Sequence, residues 1–405
     1  MMIMIYFWTC GGPFGIESAV SAGGAGLTFV SLFVILILWC LPQALMAAEL
    51  SLMINQNGGN VTWVQRAFGD FIGFINAFCA LFMNLDNQAI LTLMFLEYLP
   101  VSLQPGYLWL IKGGFLFITT LINIWSVDAI SKLSWALLFI VFTPFFGEIV
   151  YVVAQRVPIT FNTLFVFPEF SSIKWNILLS TIVWNFGGLD LIGFVAGEVK
   201  GGSRGFLAGV LGAFPLIFIN YSFPVLVNYI LYPHYSQWDS GFFVQLAEKL
   251  FPSWLVLWMT IATCTGVFGT QLSSATTTSR LIWAMGKGKE DNIAQHRYLP
   301  HFFAKSWMNK EGVLIPIVAT ITNGLVTFAL TAFPLDFLIQ FFLILRILNL
   351  WFEYAALIYL KWKEPDTARP FEIPGKRVGS VIIVIPTVLI SVLAIVTTDG
   401  LTLAW

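Results

Sequence analysis

Eleven stretches of about 20 mainly apolar residues follow one another along the chain, at 2–20, 27–50, 71–99, 108–127, 133–153, 175–199, 206–231, 254–285, 314–331, 335–362 and 381–396. A helix crossing a hydrocarbon core about 30 Å thick rises 1.5 Å per residue and satisfies its own backbone hydrogen bonds, so runs of this length read as membrane spans. Composition agrees. The 405 residues are 58% hydrophobic and only 10% charged, against about 25% charged in soluble domains, which leaves too little polar surface to cover a water-soluble core. The expectation is an all-α, polytopic membrane protein with one transmembrane domain over 1–405. The first stretch has no basic residues before its apolar run and no small-residue cleavage site, and reads as a span rather than a signal peptide.

Sidedness follows from the basic residues, which concentrate in cytoplasmic loops. With the N-terminus inside, Lys112, Arg156, Lys174 and Lys249 fall outside. Arg346 lies within the tenth span, and the remaining fifteen of the 20 Lys and Arg, from Arg66 to Arg377, fall inside. The net charge of −1 gives no attraction for a nucleic-acid backbone. Cys10, Cys40, Cys79 and Cys264 sit in apolar runs without paired spacing and read as small hydrophobes.

Two spans are interrupted alike: the first by Gly11-Gly12-Pro13-Phe14-Gly15, the sixth by Gly187-Gly188-Leu189-Asp190. Each opens a block of five spans, and because five is odd the second block enters the membrane in the opposite sense. This is an inverted repeat, with repeat one at about 1–155, repeat two at about 173–363 and an additional helix at about 378–398. Broken helices at corresponding positions mark the binding site of a secondary transporter; glycine pairs that serve close packing are the plainer reading. Pro13 suits the first position of a new half-helix, so the outer half of span 1 is expected to start there. The half-helix ends would then present free N–H groups and carbonyls at mid-membrane.

Intramembrane carboxylates are costly unless paired or facing a cavity. Asp190 reads as a partner for an ammonium group or as a cap of the inner half of span 6. Asp86, beside Asn84 and Asn87 in span 3, reads as a second ammonium or proton site, or as a tether between helices. Glu17, about 7 Å past Gly12, is expected in an outer vestibule as a substrate-attracting charge or an exposed helix end. Glu198, about 15 Å past Gly188, is expected at an inner gate or in an interfacial salt bridge with Lys200 or Arg204. Arg346 and Glu353 lie seven residues apart on one helical face and are expected to pair, although Arg346 could instead meet a substrate carboxylate. The small hydroxyl residues of span 8, Thr260 to Thr278, suit helix packing and could coordinate a cation.

Several separated motifs, in order, resemble the amino acid–polyamine–organocation superfamily: Gly11-Gly-Pro-Phe-Gly-Ile-Glu17, the Leu-Pro-Gln-Ala-Leu stretch ending in Ala48-Glu49-Leu50, Asn57-Gly-Gly-Asn-Val-Thr-Trp63, Trp184-Asn185, Ala196-Gly-Glu-Val199, Leu299-Pro-His-Phe-Phe-Ala-Lys305 and Arg369-Pro-Phe-Glu-Ile-Pro374. Within it the chain is most similar to the polyamine and L-type amino-acid transporters of plants and protozoa. The resemblance implies a LeuT-like 5+5 inverted repeat with discontinuous helices 1 and 6, and proton-coupled uptake across the plasma membrane. It places substrate binding at Gly11, Gly12, Gly15, Asn185, Gly187, Gly188 and Asp190, and the acidic position of span 3 at Asp86. Members usually also carry a cytoplasmic tail and a twelfth helix.

The expected cargo is a polyamine such as putrescine or spermidine, or a cationic amino acid, because mid-membrane carboxylates outnumber intramembrane Lys and Arg. Neutral or broad amino-acid transport is the alternative, with Asp86 serving protons and Arg346 the carboxylate. A sodium-coupled transporter, a channel and a non-transporting sensor built on the same fold are the further alternatives. Enzyme chemistry is not expected: His234, His296 and His301 fall in loops, with no metal-ligand spacing and no nucleophilic triad. Gly286-Lys-Gly-Lys289 does not fit a phosphate-cradling loop, and no cofactor is expected.

Overall fold

The computed structural model describes residues 2–54, 58–99, 104–125, 127–156, 167–198, 202–287, 297–308 and 314–397. Its helices are α1 (Met2–Thr9), α2 (Glu17–Ile35), α3 (Leu41–Ile54), α4 (Gly59–Phe68), α5 (Asp70–Glu97), α6 (Pro105–Trp125), α7 (Val127–Gln155), α8 (Trp175–Asn185), α9 (Gly202–Leu231), α10 (Phe242–Leu250), α11 (Ser253–Lys287), α12 (Ile317–Leu330), α13 (Leu335–Lys363) and α14 (Lys376–Thr397). The π-helical segment Leu36–Cys40 joins α2 to α3, and the 3₁₀ segment Leu189–Glu198 follows α8. The two short strands β1 (Trp307–Met308) and β2 (Leu314–Ile315) pair antiparallel in the loop between α11 and α12.

Nine helical segments among the described residues are long and apolar enough to cross a membrane. Two of the eleven expected spans come out differently. The stretch 314–331 contains a helix of only 14 residues. The stretch 2–20 is split into the eight residues of α1 and the start of α2. The continuous run Glu17–Ile54 has 38 residues, which at 1.5 Å per residue would be about 57 Å, nearly twice the hydrocarbon thickness. Gly24 resolves this. Its φ of 71° and ψ of 164° lie outside the helical range and divide the run into a short helix and a full span.

Burial separates central from peripheral helices. In the most apolar window, 67% of α5 and 61% of α11 are buried, against 22% in α6 and 28% in α14. Phe117, Phe139 and Leu389 accordingly stand exposed on α6, α7 and α14, where lipid covers apolar surface without cost. The buried helix α5 packs on both α11 and α13, while α11 packs on α1 and on the 3₁₀ segment and α13 packs on α8.

Candidate functional site

The break in span 1 extends further than the sequence suggests. Helix α1 ends where the Cys10 amide donates to the Tyr6 carbonyl (2.6 Å), and α2 begins at Glu17 rather than at Pro13. Pro13 has the right φ to start a helix, but Gly12 at φ 149° and Gly15 at φ 89° interrupt right-handed winding on both sides of it. Gly11 is required by proximity. A Cβ there would lie 1.7 Å from Thr270 Oγ1 and 2.4 Å from the Gly266 carbonyl oxygen, so the break rests directly against α11.

Span 6 breaks after Asn185. The Phe186 amide donates to the Ile182 carbonyl (3.0 Å) and the Gly187 amide to the Trp184 carbonyl (3.1 Å); Gly188 then takes φ 96° and the chain resumes as the 3₁₀ segment. An α-helical inner half was expected there. Asn185 ties the two breaks together, donating from Nδ2 to the Gly15 carbonyl (3.3 Å) while its own carbonyl accepts from Tyr221 Oη (2.9 Å). These groups would otherwise be orphaned helix-end polar atoms.

A cavity with about 60 Å³ of solvent-accessible space lies between the breaks. Gly11, Gly12, Asn185, Gly187 and Gly188 line it, whereas Gly15, Asp86 and Asp190 do not. Phe14, Trp184, Tyr221 and Phe342 add aromatic surface, and Asn84, Asn87 and Thr270 add polar atoms. Trp184 is oriented by the hydrogen bond from its Nε1 to Asn87 Oδ1 (3.1 Å). Arg346 also reaches the wall.

Asp190 is not a free acceptor for a substrate ammonium. Its carboxylate receives Arg346 Nη2 at 2.5 Å and Nη1 at 3.0 Å, and Arg346 Nη2 also donates to Gln43 Oε1 (2.5 Å). Asp190 is 1% exposed and Arg346 is fully buried. The forked guanidinium matches the two carboxylate oxygens, which makes the pair a neutral, oriented unit. The expected Arg346–Glu353 pair is therefore corrected: Glu353 accepts from Asn60 Nδ2 instead (2.9 Å). Sequence reasoning missed Gln43, although an amide inside the apolar Leu-Pro-Gln-Ala-Leu run is itself a signal of an inward-facing contact.

The remaining acidic candidates separate. Asp86 is fully buried on α5, and neither carboxylate oxygen has a hydrogen-bond partner among the described residues. Glu17 is buried in the first turn of α2 rather than exposed in a vestibule; its Oε2 accepts from the Gly15 amide (2.6 Å), closing the break. Glu198 ends the 3₁₀ segment, but its side chain and Lys200 lie outside the described residues. Glu49 holds Lys361 (3.1 Å) and Arg369 (2.9 Å), joining α3 to the end of α13 and to the segment after it. The α11 hydroxyls mostly donate to carbonyls of their own helix, as Thr263 does to Met259 (2.7 Å) and Thr270 to Gly266 (3.1 Å).

Two broken spans enclosing a polar, aromatic cavity in a lipid-exposed bundle are the arrangement of a secondary transporter. The sequence matches the amino acid permease family over residues 2–400. The chain belongs to that family. The permease is 26% identical to the polyamine transporter PUT1 of Oryza sativa subsp. japonica over 409 residues, which is 98% of this chain and 73% of that protein. It is 27% identical to the polyamine transporter RMV1 of Arabidopsis thaliana over 407 residues, covering 97% and 79%. It is 26% identical to the glutamate/serine transporter AimA of Bacillus subtilis (strain 168) over 288 residues, covering 65% and 52%. The permease is thus a membrane-embedded transporter of a small organic substrate rather than an enzyme.

Proposed function

We propose that this permease is a proton-coupled secondary transporter of polyamines or cationic amino acids, working by alternating access. The observation that carries the reading is the cavity between the two helix breaks, lined by aromatic faces and by residues at helix ends. An ammonium group is favoured by the partial negative charge of α1 and α8 C-terminal carbonyls and by ring faces such as Trp184. Among the described residues the cationic side chain on the wall is Arg346, and it is neutralised by Asp190. The substrate-site residues are Gly11, Gly12, Asn185, Gly187 and Gly188, with Arg346 on the cavity wall and its partner Asp190 off it; Gly15 and Asp86 do not line the cavity. The skew of Lys and Arg supports a cytoplasmic N-terminus, and the family resemblance supports the plasma membrane.

A second reading rests on Arg346 itself. Its Nε has no hydrogen-bond partner among the described residues, and the side chain reaches the cavity wall, so it could receive the carboxylate of a neutral amino acid. Purified protein in liposomes separates the two. Uptake of labelled putrescine, spermidine or arginine under an inward acid gradient, with no effect of sodium and no competition by leucine, supports the first. Competition by leucine but not spermidine selects the second, and sodium-driven uptake replaces the proton. Absence of all uptake overturns both.

A further inference from the structure

Arg346, Asn349 and Glu353 recur at i, i+3 and i+7 along α13, the spacing of one helical stripe. All three are fully buried. The stripe forms a file of hydrogen-bonded polar groups leading away from the cavity. Arg346 joins Asp190 and Gln43 at the cavity wall. Asn349 donates to Asn76 Oδ1 on α5 (2.8 Å) and accepts from Asn60 Nδ2 on α4 (3.1 Å). Asn60 Nδ2 also donates to Glu353 Oε1 (2.9 Å), while Glu353 Oε2 has no partner among the described residues.

The charge balance of this file is uneven. Asp190 and Arg346 cancel, so an ionised Glu353 would add one uncompensated negative charge, held by a single hydrogen bond in a fully buried position. Charges of that kind are neutralised rather than left alone. Among the described residues, the charged or titratable groups acting on Glu353 are Asp190 from the 3₁₀ segment and Arg346 and Tyr354 from its own helix. Of the elements packed on α13, α4 places Asn60 on Glu353 itself, while α3, α5 and α14 place Gln43, Asn76 and Thr387 on its neighbours Arg346, Asn349 and Tyr354; none of the four carries charge, and α8 carries no Asp, Glu, Lys, Arg or His. The next cation on α13, Lys361, lies about 12 Å further along the helix and is already paired with Glu49.

We propose that Glu353 is a proton-binding site: it holds one proton on its free carboxyl oxygen in this conformation and releases it when water enters between α4 and α13. The step is an acid dissociation to water and needs no other reactant. It deepens the proposed function and rests on proton coupling. In the transport cycle, opening that seam to one side of the membrane and closing it again would move one proton per turn along with the substrate in the neighbouring cavity.

The test uses the full chain in liposomes, with the membrane potential clamped and a pH dye trapped inside. An inward gradient of one pH unit corresponds to about tenfold accumulation for one proton per substrate. Glu353→Gln is expected to lose that accumulation and the substrate-induced proton influx, while exchange of labelled for unlabelled substrate, which needs no net proton movement, persists. Glu353→Asp, which keeps a carboxyl group, is expected to restore gradient-driven accumulation in part. If Glu353→Gln accumulates substrate and moves protons as the wild type does, the proposal is overturned. Equal loss of exchange and drive in both variants also overturns it, because Glu353 is then structural. Wild-type uptake that ignores the proton gradient is a different failure: it removes the coupling ion from the proposed function before any variant is read.

Discussion

Replacing Asp190 with Asn tests whether the site is organised around a neutral ion pair or an available carboxylate. The substitution leaves the Arg346 guanidinium fully buried without a counter-charge: one amide oxygen at position 190 and Gln43 Oε1 remain as acceptors in place of a two-point carboxylate contact at 2.5 and 3.0 Å. Breaking one side of a buried pair costs about 3–5 kcal/mol, most of it the exposure of the surviving charge to an apolar interior. For a chain of this length that corresponds to a melting temperature about 5 °C lower. Arg346→Gln should cost a similar amount for the mirror-image reason. The double variant Asp190→Asn with Arg346→Gln removes both charges and keeps amides that can hydrogen-bond, so its stability should return to within about 1 kcal/mol of the wild type. Thermal unfolding of the four proteins in one detergent, followed by size-exclusion recovery, reads this directly. Additive losses in the double variant, or an unperturbed Asp190→Asn protein, would refute the ion-pair reasoning. Uptake by the double variant then isolates function from folding: loss of transport with restored stability means that the pair contacts or orients substrate.

Gly11→Ala should destabilise the protein by about 1–3 kcal/mol or more and abolish uptake, because the added methyl meets Thr270 Oγ1 at 1.7 Å and the Gly266 carbonyl at 2.4 Å. Adding Thr270→Ala should not rescue it, since the backbone carbonyl remains; rescue in an uptake assay would mean that the approach of the break to α11 is looser. At the membrane surface, hydrogen bonds from Arg66 hold the Glu364 carboxyl below its ordinary pKa of 4.5. A lowered folded-state value stabilises above the unfolded value and the effect is lost as pH falls through the folded one, so the difference in melting temperature between wild type and Glu364→Gln should be present at neutral pH and vanish in acid. A difference that is the same at neutral and acid pH would assign it to something other than the ionised carboxylate.

Much of the architecture was legible in the amino-acid order because its causes are local. Apolar runs of membrane length fix the solvent and the helices, and the Gly-Gly-Pro and Gly-Gly-Leu-Asp interruptions mark both breaks, since glycine conformation and the missing proline N–H act within a few residues. Five of the eight expected substrate-site residues, Gly11, Gly12, Asn185, Gly187 and Gly188, line the cavity for that reason. The restart at Glu17 was less legible: proline favours a helix start, but the positive φ of Gly12 and Gly15 on either side of it interrupts the winding.

Partnerships between charges were decided by tertiary structure. Helical spacing put Arg346 and Glu353 on one face, yet Arg346 pairs with Asp190, 156 positions away, because the 3₁₀ segment brings a carboxylate of matching geometry to its fork. The same packing leaves Glu17 buried as the closing contact of a loop and Asp86 without a partner. A sequence states how many charges enter the membrane; which of them cancel depends on distances of a few ångströms between helices remote in the chain, and at low dielectric those distances set both the energy and the chemistry left available.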